Sequence, residues 1–103
     1  MPSPSWISAR TVIEQQDVLV AADQYRQQLT RFDDAYEALK WLLARNCEKL
    51  GFHRSVGATE YRLYRQAGDP AAQSPNIIIT FFYNDNEVII IGLRAEPFYQ
   101  KSP

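Results

Sequence analysis

Cysteine is nearly missing from this chain of 103 residues: Cys47 is the only one. One cysteine cannot close an internal disulfide, which points to a reducing compartment. Histidine is as scarce, with His53 alone. A zinc site wants about three or four Cys, His or carboxylate ligands in a cluster, and none is legible, so no metal is expected. The glycine-rich phosphate loops and the G-x-S-x-G nucleophile turn are absent, so no nucleotide cofactor and no hydrolase elbow are expected. No run reaches the roughly 18 apolar residues that cross a bilayer. The opening "MPSPSWISAR" lacks the charged start and apolar centre of a signal peptide, which makes the cytoplasm the expected location. An excess of charge is missing too. The net charge is −1 and the pI about 5.7, which argues against a sequence-independent coat for nucleic acid. Residues 1–50 hold six basic and seven acidic side chains, and residues 51–103 hold five of each, so no charged tail stands apart.

What the chain does have is hydrophobicity in the right amount and rhythm for one domain, residues 1–103. Its apolar fraction is 46% and its charged fraction 22%, and a chain of this length buries a core without staples. Residues 2–5, "PSPS", read as a frayed terminus. "ARTVIEQQ", residues 9–16, fits a strand or the opening of a helix. From Asp17 the pattern is helical: Val18, Ala22, Tyr25 and Leu29 share one face, and Asp17 is placed to cap the start. "RFDDAYEALKWLLARN" predicts a second helix, with Asp34 and Glu37 at capping-box spacing. Its stripe is Ala35, Leu39, Leu42 and Leu43, widened by Phe32, Tyr36 and Trp41. The short connection predicts a helical hairpin.

After Gly51 the period changes. Thr59, Tyr61 and Leu63 alternate with Glu60, Arg62 and Tyr64, which is a half-buried strand. "QAGDPAAQSPN" reads as a long surface loop. Then come two apolar runs, Ile77–Tyr83 and Val88–Leu93, joined by Asn84-Asp85-Asn86, which is hairpin turn chemistry. Gly92 suggests a bulge or a close backbone approach. Strands are expected at residues 58–66, 76–83 and 87–94. The hairpin is more apolar than one layer of helices can cover, because Ile78, Phe82, Ile89 and Ile91 cannot all face two helices. The expected fold is α+β: a two-layer domain with a helical hairpin packed on a three- or four-stranded antiparallel sheet.

One constellation is chemically suggestive. His53, Arg54, Arg62, Arg65 and Arg94 lie in or beside the expected sheet, interleaved with Tyr61, Tyr64 and Tyr99. Arginine grips phosphate through paired hydrogen bonds, and tyrosine stacks on unpaired bases. Arg54, Arg62, Tyr64 and Arg65 are therefore candidate nucleic-acid contacts. The plainer reading is a solvated strand face on which Glu60 and Glu96 neutralise the arginines. Cys47 reads as a partly buried residue at a helix end, and His53 as a loop or strand-edge residue.

The order "FDDAYEALKWLLARNCEKLGF", "VGATEYRLYR", a loop and "PNIIITFFYNDNEVIIIGLRAEPFY" resembles the RelE/ParE superfamily of toxins from bacterial toxin–antitoxin modules, over roughly residues 9–99. The resemblance implies an N-terminal extended segment, a helical hairpin and an antiparallel sheet. It implies one of two activities, cutting messenger RNA on the ribosome or poisoning DNA gyrase, and a cognate antitoxin as partner. For a metal-independent endoribonuclease it implies Arg62, Arg94, Tyr99 and His53 as the catalytic set, with a proton moved by Tyr99 or His53 and charge stabilised by Arg94 and Arg62. Active members are usually strongly basic, and this chain is not; lysine is absent from residues 51–100. A second reading therefore stands beside the first: a catalytically silent protein of the same fold that binds an antitoxin, gyrase or a second copy of itself. The third is an unrelated interaction domain, a homodimer formed through the apolar hairpin.

Overall fold

The computed structural model describes residues 9–57, 59–69, 71 and 73–96. They form β1 (Thr11–Glu14), α1 (Gln16–Gln28), α2 (Phe32–Asn46), a 3-10 turn (Cys47–Lys49), β2 (Phe52–Val56), β3 (Thr59–Gln66), β4 (Asn76–Tyr83) and β5 (Glu87–Glu96). The two helices lie on one face of a single sheet whose strand order is β1-β5-β4-β3-β2. No described helix is long and apolar enough to cross a membrane.

The three expected strands are present nearly residue for residue, and the fold is α+β. The sheet itself differs from expectation. It has five strands rather than three or four, and it is mixed, because β1 runs parallel to β5. The strand at 11–14 settles the ambiguity of residues 9–16 in favour of β-structure. Its direction follows from its anchors. Arg10 donates its backbone N–H to the Ala44 carbonyl at 2.8 Å, and Gln15 donates to the Ile90 carbonyl at 3.2 Å just before α1 begins. The fifth strand, β2, escapes a periodicity reading because "FHRSV" is exposed from Phe52 to Ser55 and alternates in no clear way.

The helices bury most of the stripes expected of them, Leu42 and Trp41 excepted, with two corrections at their starts. Helix α1 begins at Gln16 after Gln15, so Asp17 sits inside the first turn and caps nothing. Helix α2 begins at Phe32 after Arg31, whose φ of 68° is left-handed, so Asp34 and Glu37 lie too deep for a capping box. Asp34 instead takes a hydrogen bond from Arg31 at 2.9 Å, and Glu37 pairs with Lys40 at 2.8 Å. Val18, Ala22, Phe32, Ala35, Tyr36, Leu39, Leu43 and Cys47 meet Ile77, Ile79, Phe81, Val88, Ile90 and Ala95 in one core. Trp41 is outside it, 59% exposed, with Arg45 stacked on its ring.

Two polar clasps tie β1 to the rest. The Tyr36 hydroxyl donates to Glu14 at 2.7 Å, and Lys40 reaches the other oxygen of Glu14 at 3.5 Å while lying over the Tyr36 ring. Arg10 donates to the Asn84 carbonyl at 2.7 Å, pairs with Glu48 at 3.3 Å and lies over the Tyr83 ring. In the β4–β5 turn the Asn84 side chain accepts the backbone N–H groups of Asn86 and Glu87, both at 2.8 Å. Gly51, with φ at 78°, brings the chain from the helices down onto β3; a Cβ there would run into the Leu63 carbonyl.

Candidate functional site

Strand alternation sorts every side chain of the sheet onto one of two faces. Ile77, Ile79 and Phe81 of β4 face the helices and are fully buried. Their β5 partners on that face are Ala95, Leu93 and Ile90. One residue along each strand, the side chains turn away from the helices. The register places Ile13 beside Ile89, Ile89 beside Phe82, and Phe52 beside Leu63, which sits next to Thr80 and Gly92. Tyr61 precedes Arg62 and so turns to the same open face. The result is an apolar and aromatic surface that crosses all five strands with no described helix over it. Its exposure is real: Ile13 is 37% exposed, Phe82 39% and Phe52 72%. Of the four residues expected to exceed the helices' reach, Ile78, Phe82 and Ile89 lie here. Ile91 has no partner in β4, because the register steps between Thr80 and Phe81, and this is the irregularity that Gly92 signalled.

The arginines divide between the faces. Ile78 pairs with Arg65 on one side and Arg94 on the other, so both rim the open face. Arg54, opposite Tyr61, is on that face too. Arg62 is not: it sits beside Phe81 on the helix side, where its guanidinium donates to the Leu50 carbonyl at 2.8 Å and the Gly51 carbonyl at 3.3 Å. These carbonyls close the turn after α2, so Arg62 is committed to holding the sheet against the helix end. Tyr64 shares the Arg62 face and packs against the core.

Thus Arg62 and Arg94, which the resemblance implied as one charge-stabilising pair, open onto opposite faces. Arg94 is also in an ion pair with Glu96 at 3.2 Å. The sheet does bring His53 and Arg62 together. They are direct cross-strand partners, and they share a shallow cleft of about 270 Å³ with Glu60, Tyr61, Phe82 and Tyr83. There His53 is hydrogen-bonded to Glu60 at 2.7 Å. A carboxylate in that position offsets the charge a phosphate would need. Tyr99 lies outside the described residues. Cys47 is fully buried, burial pushes its thiol pKa up, and His53 is exposed on an edge strand, so the two form no nucleophile pair. Among the described residues no group of three or more His, Cys, Asp or Glu is arranged to hold a metal ion.

Sequence reasoning missed β2 and therefore missed that Phe52, Arg54 and Leu63 belong to one surface. The available signal was Phe52 itself, a large aromatic directly after a glycine that ends the helical layer. Comparison with family models, with curated proteins and with solved structures finds no match to this chain.

Proposed function

We propose that this chain works by binding another protein through the open face of its sheet, as the non-cleaving, toxin-like component of a toxin–antitoxin module. The observation that carries the binding reading is the apolar surface running from Ile13 to Phe52 across five strands. A soluble monomer rarely leaves a contiguous surface of this kind uncovered, and one rimmed by polar groups marks a protein contact. Arg54, Arg65 and Arg94 form such a rim. Support for the toxin-like placement is the order of elements: strand, helical hairpin, then antiparallel strands. The separation of Arg62 from Arg94 favours this reading over a ribosome-dependent nuclease, which needs its cations around one phosphate.

The test is expression in a bacterial host with and without the reading frame adjacent to this one. The expected result is growth arrest by the chain alone, rescue by the neighbour, and co-purification of the two products. Phe82→Asp, which leaves the core untouched, should abolish both arrest and co-purification, while Arg94→Ala and His53→Ala preserve them. Arrest lost in Arg94→Ala or His53→Ala but kept in Phe82→Asp would return the nuclease reading. No arrest and no adjacent partner would end the toxin–antitoxin placement.

A further inference from the structure

The sheet has two edges, and they are treated differently. β1 is four residues long, leads directly into α1, and is held by the clasps of Arg10 and Glu14. Among the described residues β2 is the outer strand on the other side and pairs only with β3. Its five residues keep an unbroken register from Phe52↔Leu63 to Val56↔Thr59. Natural edges are usually blunted by shortness, charged side chains, proline, a bulge or a covering element, because unpaired N–H and C=O groups template another strand. "FHRSV" contains no proline and no bulge, its one guard is the charge of Arg54, which an acidic strand would neutralise, and Phe52, His53, Arg54 and Ser55 are all exposed.

We propose that the free edge of β2 takes up an extended, acidic segment of a partner protein as a sixth strand. This deepens the reading above, on which it rests, by naming where the partner enters and what it carries. Phe52 and Arg54 are two residues apart and both face the open side of the sheet. A strand laid against β2 therefore presents an apolar side chain to Phe52 and, two positions along, a side chain to Arg54. Among the described residues Arg54 has no carboxylate within ion-pair distance. An incoming Asp or Glu supplies one. The apolar side chain continues the row of Gly92, Thr80, Leu63 and Phe52, so the new strand enlarges the open face and covers its most exposed aromatic. A second copy of this chain fits the same edge poorly. Antiparallel pairing of β2 with itself about its centre sets Arg54 opposite Arg54, and like charges directly opposite are destabilising.

The probe is a capped heptapeptide, Thr-Val-Thr-Glu-Thr-Val-Thr, titrated into the isotope-labelled chain and followed by amide shifts and hydrogen exchange. A Lys-for-Glu version and a version methylated at every amide serve as controls. The expected result is slowed exchange and shifted amides at residues 52–56, with the Lys peptide binding about tenfold more weakly. The methylated peptide should show no protection, since it keeps its side chains but donates no backbone hydrogen bond. Arg54→Glu, an exposed change that leaves folding intact, should reverse the preference between Glu and Lys peptides; Arg54→Ala should erase it. Equal binding of the two peptides, equal binding of the methylated one, or shifts confined to other strands would overturn the proposal. So would concentration-dependent protection of residues 52–56 without peptide, which would place a second copy at the edge. If Phe82→Asp abolishes partner binding while these peptides leave β2 unperturbed, the edge proposal alone falls and the open-face reading stands.

Discussion

The two faces of this sheet are built from the same strands, often from adjacent residues, yet they obey different rules. Phe81 is fully buried and Phe82, its neighbour, is 39% exposed. Ile79 is packed under two helices while Ile78 lies between two arginines. On the covered face, side chains are chosen for fit. On the open face isoleucine and phenylalanine recur, but among the described residues no helix covers them and they stay partly exposed. Hydrophobicity alone therefore does not report burial; the side of the pleat does. Isoleucine and phenylalanine on both sides of the pleat are what the proposed protein contact would use, since among the described residues no second layer covers the open face.

The sharpest way to break the contrast is to truncate one phenylalanine at a time. Phe81→Ala should cost about 3–5 kcal/mol of unfolding free energy, the range for emptying a packed aromatic site. Phe82→Ala should cost under about 1 kcal/mol, because half-exposed side chains lose little transfer free energy. Urea melts of the pair decide it. Comparable losses would mean that the open face is packed in solution.

Next in size is Gly51→Ala. The left-handed backbone and the Leu63 carbonyl in the way of a Cβ predict a loss of at least about 1 kcal/mol, read as a lower melting temperature. A neutral outcome would show that the chain reaches β3 by another path.

A third test concerns pH. Burial, then the hydrogen bond to Glu14, pushes the Tyr36 phenol well above its ordinary value. The folded protein keeps a proton that the unfolded chain releases at about pH 10, so this contribution is complete below that pH and is lost as pH rises further. Tyr36→Phe should cost about 1 kcal/mol at neutral pH and soften the alkaline loss of stability. Alkaline melting curves that run parallel in wild type and variant would remove Tyr36 from the explanation.

The smallest effect is expected at the rim. Arg94→Ala should change stability by no more than about 0.5 kcal/mol, since its ion pair with Glu96 is largely in water. A loss several times larger would mean that the open face, arginines included, is a structural surface rather than a binding one.

The sequence was most legible where a period was sustained. Ile77–Tyr83 and Val88–Leu93 announced strands, and the excess of apolar residues over what two helices cover was readable from Ile78, Phe82 and Ile89. The stripes of both helices were readable too, apart from Leu42, which is only half-buried and outside the core, and Trp41, whose ring stacks with the Arg45 guanidinium at the surface. Capping was misread because the cap positions are held by Gln15 and Arg31, neither of which makes a side-chain cap bond. The candidate site was harder. Which arginine shares a face with which depends on odd or even position within one strand and on register between strands. Arg62 and Arg65 sit on the same strand three residues apart, and so on opposite faces. Arg62 and Arg94 are related only through β4 and its register step. Nor does any local pattern announce that Arg62 is occupied by the carbonyls of Leu50 and Gly51.

The parallel pairing of β1 with β5 also sets an order of events during synthesis. Arg10 and the Asn84 carbonyl it grips are 74 residues apart along the chain. As the polypeptide leaves the ribosome, the first strand has no neighbour until the last one emerges, whereas the helical hairpin needs only local contacts. The hairpin should therefore form early and wait, its apolar stripe unsheltered, until β4 and β5 arrive to close the core. A nascent chain stalled before Ile77 should therefore aggregate more readily than the complete chain, which a comparison of stalled and released chains in a cell-free system would read.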